Sequence, residues 1–252
     1  MSLKTERDGR LLRLTLAHGE RNLLDLGICR EMVDALEEAG QDRAVGAVLL
    51  DAEGPVFCAG VDQDEAADPE NVDHGFLHVK LLQIGGKLTK PLVAAVQGAA
   101  LAEGVALAAN AHVVVAAQGT SFALTEIRTG LFPLVGFEAL VRAVGERRAT
   151  ELALTGRVFA APEALQMGLV HEIAPAFEFE DRARDIALHL ASASAEAVHR
   201  GLDFIHRRRA MSALDSGTLA VKLRNGLFRG ADFAEGRRAL RENRPPGWPS
   251  LR

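Results

Sequence analysis

Three short runs, at residues 47–50, 92–96 and 113–116, are apolar throughout and stand apart across stretches of helical character. A strand with no polar face has to be covered on both sides, and such strands joined by helical crossovers make a parallel sheet. The chain is therefore expected to be α/β. Leu12, Leu14 and Leu16 alternate with polar partners as on a half-buried strand, and Ile28, Met32 and Leu36 then recur at helical spacing. The chain is thus expected to open strand, then helix. Residues 65–90 read as a flap followed by a helix through Phe76, Val79, Leu81 and Leu82. Pro162 stands where a helix begins, Gly168 stops it, and residues 169–173 resume as a strand. After Asp181 only helical periodicity remains until Pro245-Pro246.

Composition narrows the class of ligand. A hydrophobic fraction of 48% and a charged fraction of 25% exclude a disordered or fibrous chain. A formal charge of −5 offers no basic excess for nucleic-acid phosphates or anionic lipid, which points to a small molecule. Cys29 and Cys58 lie in no CxxC and beside no His, so neither a disulfide framework nor a cysteine metal site is expected. A reducing, cytoplasmic setting fits them. The mostly polar N-terminus, and the lack of any run of about 18 apolar residues, give no sign of export or membrane insertion.

Three segments carry the chemistry. They are Gly54-Pro55-Val56-Phe57-Cys58-Ala59-Gly60-Val61-Asp62, then Ala94 through Gln97-Gly98-Ala99-Ala100-Leu101-Ala102-Glu103-Gly104 to Leu107, then Phe122-Ala123-Leu124-Thr125-Glu126 with Gly130-Leu131-Phe132-Pro133. In order and spacing they resemble the signatures of the enoyl-CoA hydratase/isomerase (crotonase) family. The likeness continues through Leu154-Thr155-Gly156, residues 160–170, Asp232-Phe233-Ala234-Glu235-Gly236 and Arg244-Pro245-Pro246, nearly the whole chain. It implies the crotonase α/β spiral of ββα turns over residues 1–195, with a C-terminal helical region at 196–252 that covers the active site or joins subunits. It also implies a homotrimer or dimer of trimers acting on an acyl-CoA thioester, with no separate cofactor because coenzyme A arrives with the substrate.

Small residues at Ala59-Gly60-Val61 let the backbone turn sharply after a buried strand, and Gly98 and Gly104 permit close approach ahead of a helical run. Two amides converging near a helix N-terminus suit an oxyanion, although either loop alone is an ordinary strand-to-helix turn. By resemblance the donors are the amides of Val61 and Glu103. Familiar members of the family place glycine where this chain has Glu103, so its amide serves only if its φ is negative. Its side chain either joins the site as an extra carboxylate or sits in solvent at the helix start.

Hydratases of the family use two glutamates. The first position falls on Ala106, which cannot exchange a proton, and the second on Glu126. Adding water across an enoyl thioester asks for two acid/base groups, whereas moving a double bond from β,γ to α,β needs one carboxylate that takes the Cα proton and returns it at Cγ. The expected activity is therefore Δ3,Δ2-enoyl-CoA isomerisation, with Glu126 as base and acid. The alternatives are hydration, thioester hydrolysis or decarboxylation on the same hole, and a catalytically quiet acyl-CoA- or RNA-binding relative, the RNA version disfavoured by the net charge.

Arg21, in Arg21-Asn22-Leu23-Leu24, resembles the basic residue that approaches the CoA phosphates. Ala59, Val61 and Asp62 are expected along the same ligand, with Asp62 also tying its own turn through side-chain-to-backbone bonds. His74 and His78 have helical i, i+4 spacing but no local third ligand, so they are expected on the flap-helix surface and not on a metal. Gly85-Gly86-Lys87-Leu88-Thr89 lacks the Gly and Ser/Thr positions of a phosphate loop. Arg207-Arg208-Arg209 reads as a solvated helix face, or else as a contact to the CoA 3′-phosphate.

Overall fold

A computed structural model describes residues 2–68 and 74–251. The chain opens with an antiparallel hairpin of β1 (Leu3–Asp8) and β2 (Leu11–Leu16). In β1 only Leu3 is buried, so no apolar alternation announces the strand. β2 departs from the half-buried expectation. Leu12, Leu14 and Leu16 face the main core while Leu11 belongs to a second one, so both sides of the strand are covered.

Helix α1 (Leu26–Gln41) starts at Asp25, whose carboxylate caps the Ile28 N–H at 2.7 Å, and it buries Ile28, Met32 and Leu36 as their spacing predicts. There follow β3 (Ala47–Ala52), the short α2 (Gln63–Ala66), α3 (His74–Ile84), β4 (Leu92–Val96), β5 (Ala99–Leu101), α4 (Glu103–Ala109), β6 (Val113–Ala117) and β7 (Ser121–Ala123). A 3₁₀ turn at Thr125–Thr129 leads to α5 (Phe137–Val144), α6 (Glu146–Thr155), β8 (Val158–Ala160), α7 (Ala161–Met167), β9 (Glu172–Ala174) and α8 (Phe179–Ala191). The resumed strand is thus shorter and later than residues 169–173, since Leu169 and Val170 are buried without joining the sheet. Helices α9 (Ala195–Arg207), α10 (Ala213–Phe228) and α11 (Ala231–Glu242) close the chain.

The large sheet runs β1-β2-β3-β4-β6-β9 and is parallel from β2 onward. A small sheet, β5-β7-β8, lies beside it. Each turn of the chain places one strand in the large sheet and a shorter one in the small sheet, then a helix. β4, β5 and α4 make one such turn, and β3 with the Cys58↔Ala100 bridge makes the one before it. The main core fills one face of the large sheet, and α8 covers the other through Phe179, Ala183 and Ala187. Both faces of β3 and β4 are therefore dry, as their unbroken apolar runs require. No helix among the described residues is long and apolar enough to cross a membrane.

Candidate active site

The site forms where chain leaving the C-terminal ends of β3 and β4 comes together, the usual place for a ligand in a parallel sheet. Beyond β3 the Phe57 N–H donates to Ala99 O at 3.0 Å, and the Leu101 N–H donates to Cys58 O at 2.9 Å. The two loops thus lie backbone to backbone. At Gly104 a Cβ would stand 2.2 Å from Cys58 O, so only glycine lets α4 start this close. Gly60, with φ +96°, turns the other loop toward α4, and a Cβ there would meet Ala102 Cβ at 2.8 Å and Glu103 Oε2 at 3.0 Å.

That turn aims the Val61 N–H at α4. It donates to Glu103 Oε2 across 3.4 Å. Of the two amides expected as oxyanion donors, that of Val61 is thus taken up by the protein's own Glu103 side chain. Glu103 lies within the first turn of α4 and has no positive φ; the left-handed backbone falls instead on Ala102, with φ +50°. An alanine held there costs about 1–3 kcal/mol, and its N–H is fixed by Ala123 O at 2.8 Å.

Glu126 sits in the 3₁₀ turn after β7, and Thr125 and Arg128 of that turn line the same cavity as Val61 and Glu103. Glu126 itself is 3% exposed, and neither carboxylate oxygen has a partner among the described residues. Burial pushes its pKa up to about 7, and the Glu103 charge adds to the effect. Burial also raises the Glu103 carboxyl, against the lowering pull of the Glu103 and Val61 amides. Buried carboxylates without partners are uncommon in structural roles and frequent where a proton is to be moved. Position 106 lies one turn beyond Glu103 on α4, and Ala106 is fully packed there: a Cβ built on Gly136 would stand 2.5 Å from Ala106 Cβ.

The cavity, about 470 Å³, is lined by Arg21, Ala59, Val61, Asp62 and Glu103 among others, so it gathers every residue expected to meet the CoA portion. Glu126 is not among the residues that line it. Asp62 caps α2, accepting from the Asp64 and Glu65 amides at 3.1 and 3.2 Å. Arg21 is exposed, and its carbonyl accepts the Ala59 N–H at 2.9 Å. Its neighbour Asn22 holds the loop and was not singled out by sequence. It is buried with φ +47°, accepts the His18 N–H at 2.8 Å, and donates to Glu53 O and Val56 O at 3.0 and 2.8 Å. The signal available was an asparagine, a residue tolerant of left-handed backbone.

Other expectations fare differently. His78 is buried, not on the surface, with Nε2 3.3 Å from Leu24 O, because α3 packs along α1. The His74 side chain and flap residues 69–73 lie outside the described residues. No cluster that would hold a metal occurs among the described residues. Arg207 and Arg208 are exposed, as a solvated face should be, whereas Arg209 reaches back to Gly86 O at 3.1 Å.

Fold and cleft define an α/β protein with Val61 and Glu103 on the wall of one pocket at the ends of its parallel strands and a buried carboxyl, Glu126, in the turn whose Thr125 and Arg128 share that wall. The family model described as enoyl-CoA hydratase/isomerase matches residues 6–250, and the chain belongs to that family. A probable enoyl-CoA hydratase of Mycobacterium bovis is 32% identical over 97% of this chain and 96% of its own length. One of Rhodobacter capsulatus is 37% identical over 89% and 88%. Among solved structures, a putative enoyl-CoA hydratase of Streptomyces coelicolor A3(2) superposes with a TM-score of 0.93 at 30% identity, covering 99% of this chain and 94% of that one. The fold is the crotonase spiral with a helical C-terminal region, and the protein is an acyl-CoA enzyme of this family.

Proposed function

We propose that the enzyme moves the double bond of a 3-enoyl-CoA into conjugation, and that Glu126 carries the proton. The observation behind this reading is the pairing of a buried, unpartnered Glu126 with an alanine at position 106. Glu126 takes the Cα proton, and the C–H electrons flow into a dienolate whose oxygen accepts from the amides of Val61 and Glu103. Glu126 then returns the proton at Cγ, giving the 2-enoyl thioester. Atoms and charge balance with one carboxylate and no further reactant. A pKa of about 7 suits a group that must both accept and donate near neutrality. Arg21, Ala59 and Asp62 would meet the CoA portion, and a homotrimer or dimer of trimers is the proposed assembly.

A second reading, hydration of a 2-enoyl-CoA, is favoured by one observation. The Glu103 carboxylate lies in the site close enough for its charge to act on Glu126, so a second acid/base group is present at a position other than 106. The relatives named above also carry hydratase names. Assays with 3-hexenoyl-CoA and with crotonyl-CoA separate the two. Conversion of the first with little hydration of the second supports isomerisation, and the reverse overturns it.

A further inference from the structure

Helix α4 has the acyl-CoA cleft at its N-terminal end. At its other end lies a separate cavity of about 270 Å³, bounded by Gly85 and Gly86 after α3, Asn110 and His112 ahead of β6, Arg142 on α5 and Arg209 after α9. His171, ahead of β9, also lines it, and among the described residues no Asp or Glu does. Arg142 Nη1 and Arg209 Nη1 close on the same point, for a Cβ at Gly86 would stand 2.8 Å from the first and 3.0 Å from the second. Arg209 is held there by Gly86 O, and neither guanidinium has a carboxylate partner among the described residues. Glu138, one turn earlier on α5, acts on Arg142 through charge alone and lies off the cavity wall.

The two imidazoles are set as neutral donors. His112 Nδ1 accepts the Leu92 N–H at 3.0 Å, and His171 Nδ1 accepts the Val114 N–H at 3.1 Å, so in each neutral ring the proton resides on Nε2. Burial, followed by the charges of Arg209 and Arg142, pulls the His112 pKa down to about 4, which keeps it neutral at pH 7. Burial lowers His171 as well. Arg142 is depressed by burial and then by the like charge of Arg209, against a smaller opposing pull from Glu138. One acceptor completes the wall. Asn110 spends its Nδ2 on Leu81 O at 2.9 Å, and its buried Oδ1 has no partner among the described residues.

We propose that this cavity binds hydrogen phosphate, a tetrahedral oxyanion that retains one proton near neutral pH. Two guanidinium groups and two Nε2–H groups match its oxygens, and Asn110 Oδ1 accepts its remaining O–H. Sulfate, fully deprotonated, would leave that acceptor facing an anion oxygen. Because Arg209 belongs to the turn between α9 and α10 while Gly86 and Arg142 belong to the core, the bound anion would also clamp the C-terminal helices onto the core.

The test is calorimetric titration of the full chain, without any acyl-CoA, using inorganic phosphate, methyl phosphate and sulfate in separate arms at fixed ionic strength and pH 7.5. Its outcome is therefore independent of which reaction the cleft performs. Phosphate is expected to bind at least about 10-fold more tightly than sulfate or methyl phosphate, neither of which keeps an O–H at this pH. Arg209→Gln, an exposed position, should weaken that binding at least about 10-fold while leaving enoyl-CoA turnover unchanged. Arg142→Gln should do the same if it folds. The bound anion should raise the wild-type Tm and not that of Arg209→Gln. Failure of phosphate to bind, equal binding of sulfate or methyl phosphate, or loss of binding in Arg21→Gln but not in Arg209→Gln would overturn the proposal.

Discussion

The Val61 N–H donates to Glu103 Oε2 across 3.4 Å, so a side chain of the protein takes up an amide that the proposed mechanism assigns to the thioester oxygen. On that mechanism the carboxylate and the substrate compete for the Val61 amide. Glu103→Ala should therefore lower the KM for acyl-CoA by about 10-fold, since a hydrogen bond to a charged group contributes about 1.5–3 kcal/mol and this one is long. Steady-state kinetics on the preferred enoyl-CoA checks it. An unchanged or higher KM would mean that the carboxylate does not compete with substrate. Selective loss of hydration in the same variant would instead assign Glu103 to the water.

Glu126 is the group whose loss should silence the reaction. Glu126→Gln is expected to reduce turnover by about 10²- to 10⁴-fold while CoA-product binding stays nearly constant. As a base it must be ionised, so kcat/KM of the parent should rise along an acid limb near pH 7. Burial is the main cause of that value and the Glu103 charge a further one, so Glu103→Gln should move the limb to lower pH. A limb that stays in place, or full activity in Glu126→Gln, would remove Glu126 from the mechanism.

Much of this arrangement was legible in the sequence, because strand burial, turn glycines and an aspartate cap are local signals. The runs at 92–96 and 113–116 became β4 and β6, and Asp62 capped its turn. What stayed hidden depends on contacts between distant segments. β1 is Leu-Lys-Thr-Glu-Arg-Asp, with no period to detect, and it is a strand only because β2 offers an edge. The left-handed backbone of Ala102 leaves no trace in an alanine. That the Glu103 carboxylate folds back onto Val61, and that Arg209 meets Arg142 across Gly86, are matters of side-chain direction that spacing does not encode.

The buried Glu126 should also make folding stability depend on pH. Its folded-state pKa, about 7, stands above the ordinary 4.5. Below pH 4.5 both states hold the proton and nothing is lost; as pH rises to about 7 the unfolded chain releases it first, so stability falls across that window. At about 1.4 kcal/mol per unit the loss amounts to roughly 3 kcal/mol, or several degrees in Tm. Glu126→Gln does not titrate, so the Tm of the variant relative to the parent should climb between pH 4.5 and 8. Parallel melting curves at every pH would contradict a raised Glu126 pKa.

Helices α10 and α11 expose Phe228 and Leu240 at 53% and 83%, around an apolar groove of about 440 Å³ that also includes Trp248. An apolar patch of this kind, rimmed by Arg224 and Arg237, is usually covered by another chain. Sedimentation is expected to show a trimer or hexamer. A monomer at micromolar concentration would contradict the proposed assembly.

Restoring a glutamate at position 106 is the most direct way to ask why this chain lacks one. A glutamate that replaced Ala106 without disturbance, beside Glu126, would supply the second acid/base group and favour water addition to crotonyl-CoA over isomerisation. The packing does not permit this. Ala106 is 1% exposed, and its Cβ faces Gly136 so closely that even a methyl on that glycine would come within 2.5 Å. Ala106→Glu must push the segment ahead of α5 away and bury a carboxylate beside Glu103 and Glu126. Overpacking typically costs about 1–3 kcal/mol, and an unpaired buried charge adds to that. The variant is therefore expected to melt several degrees below the parent and to hydrate crotonyl-CoA no faster. Ala106→Glu with Gly136 left intact, parental stability and a clear gain in hydration would show that position 106 opens to the acyl pocket after all.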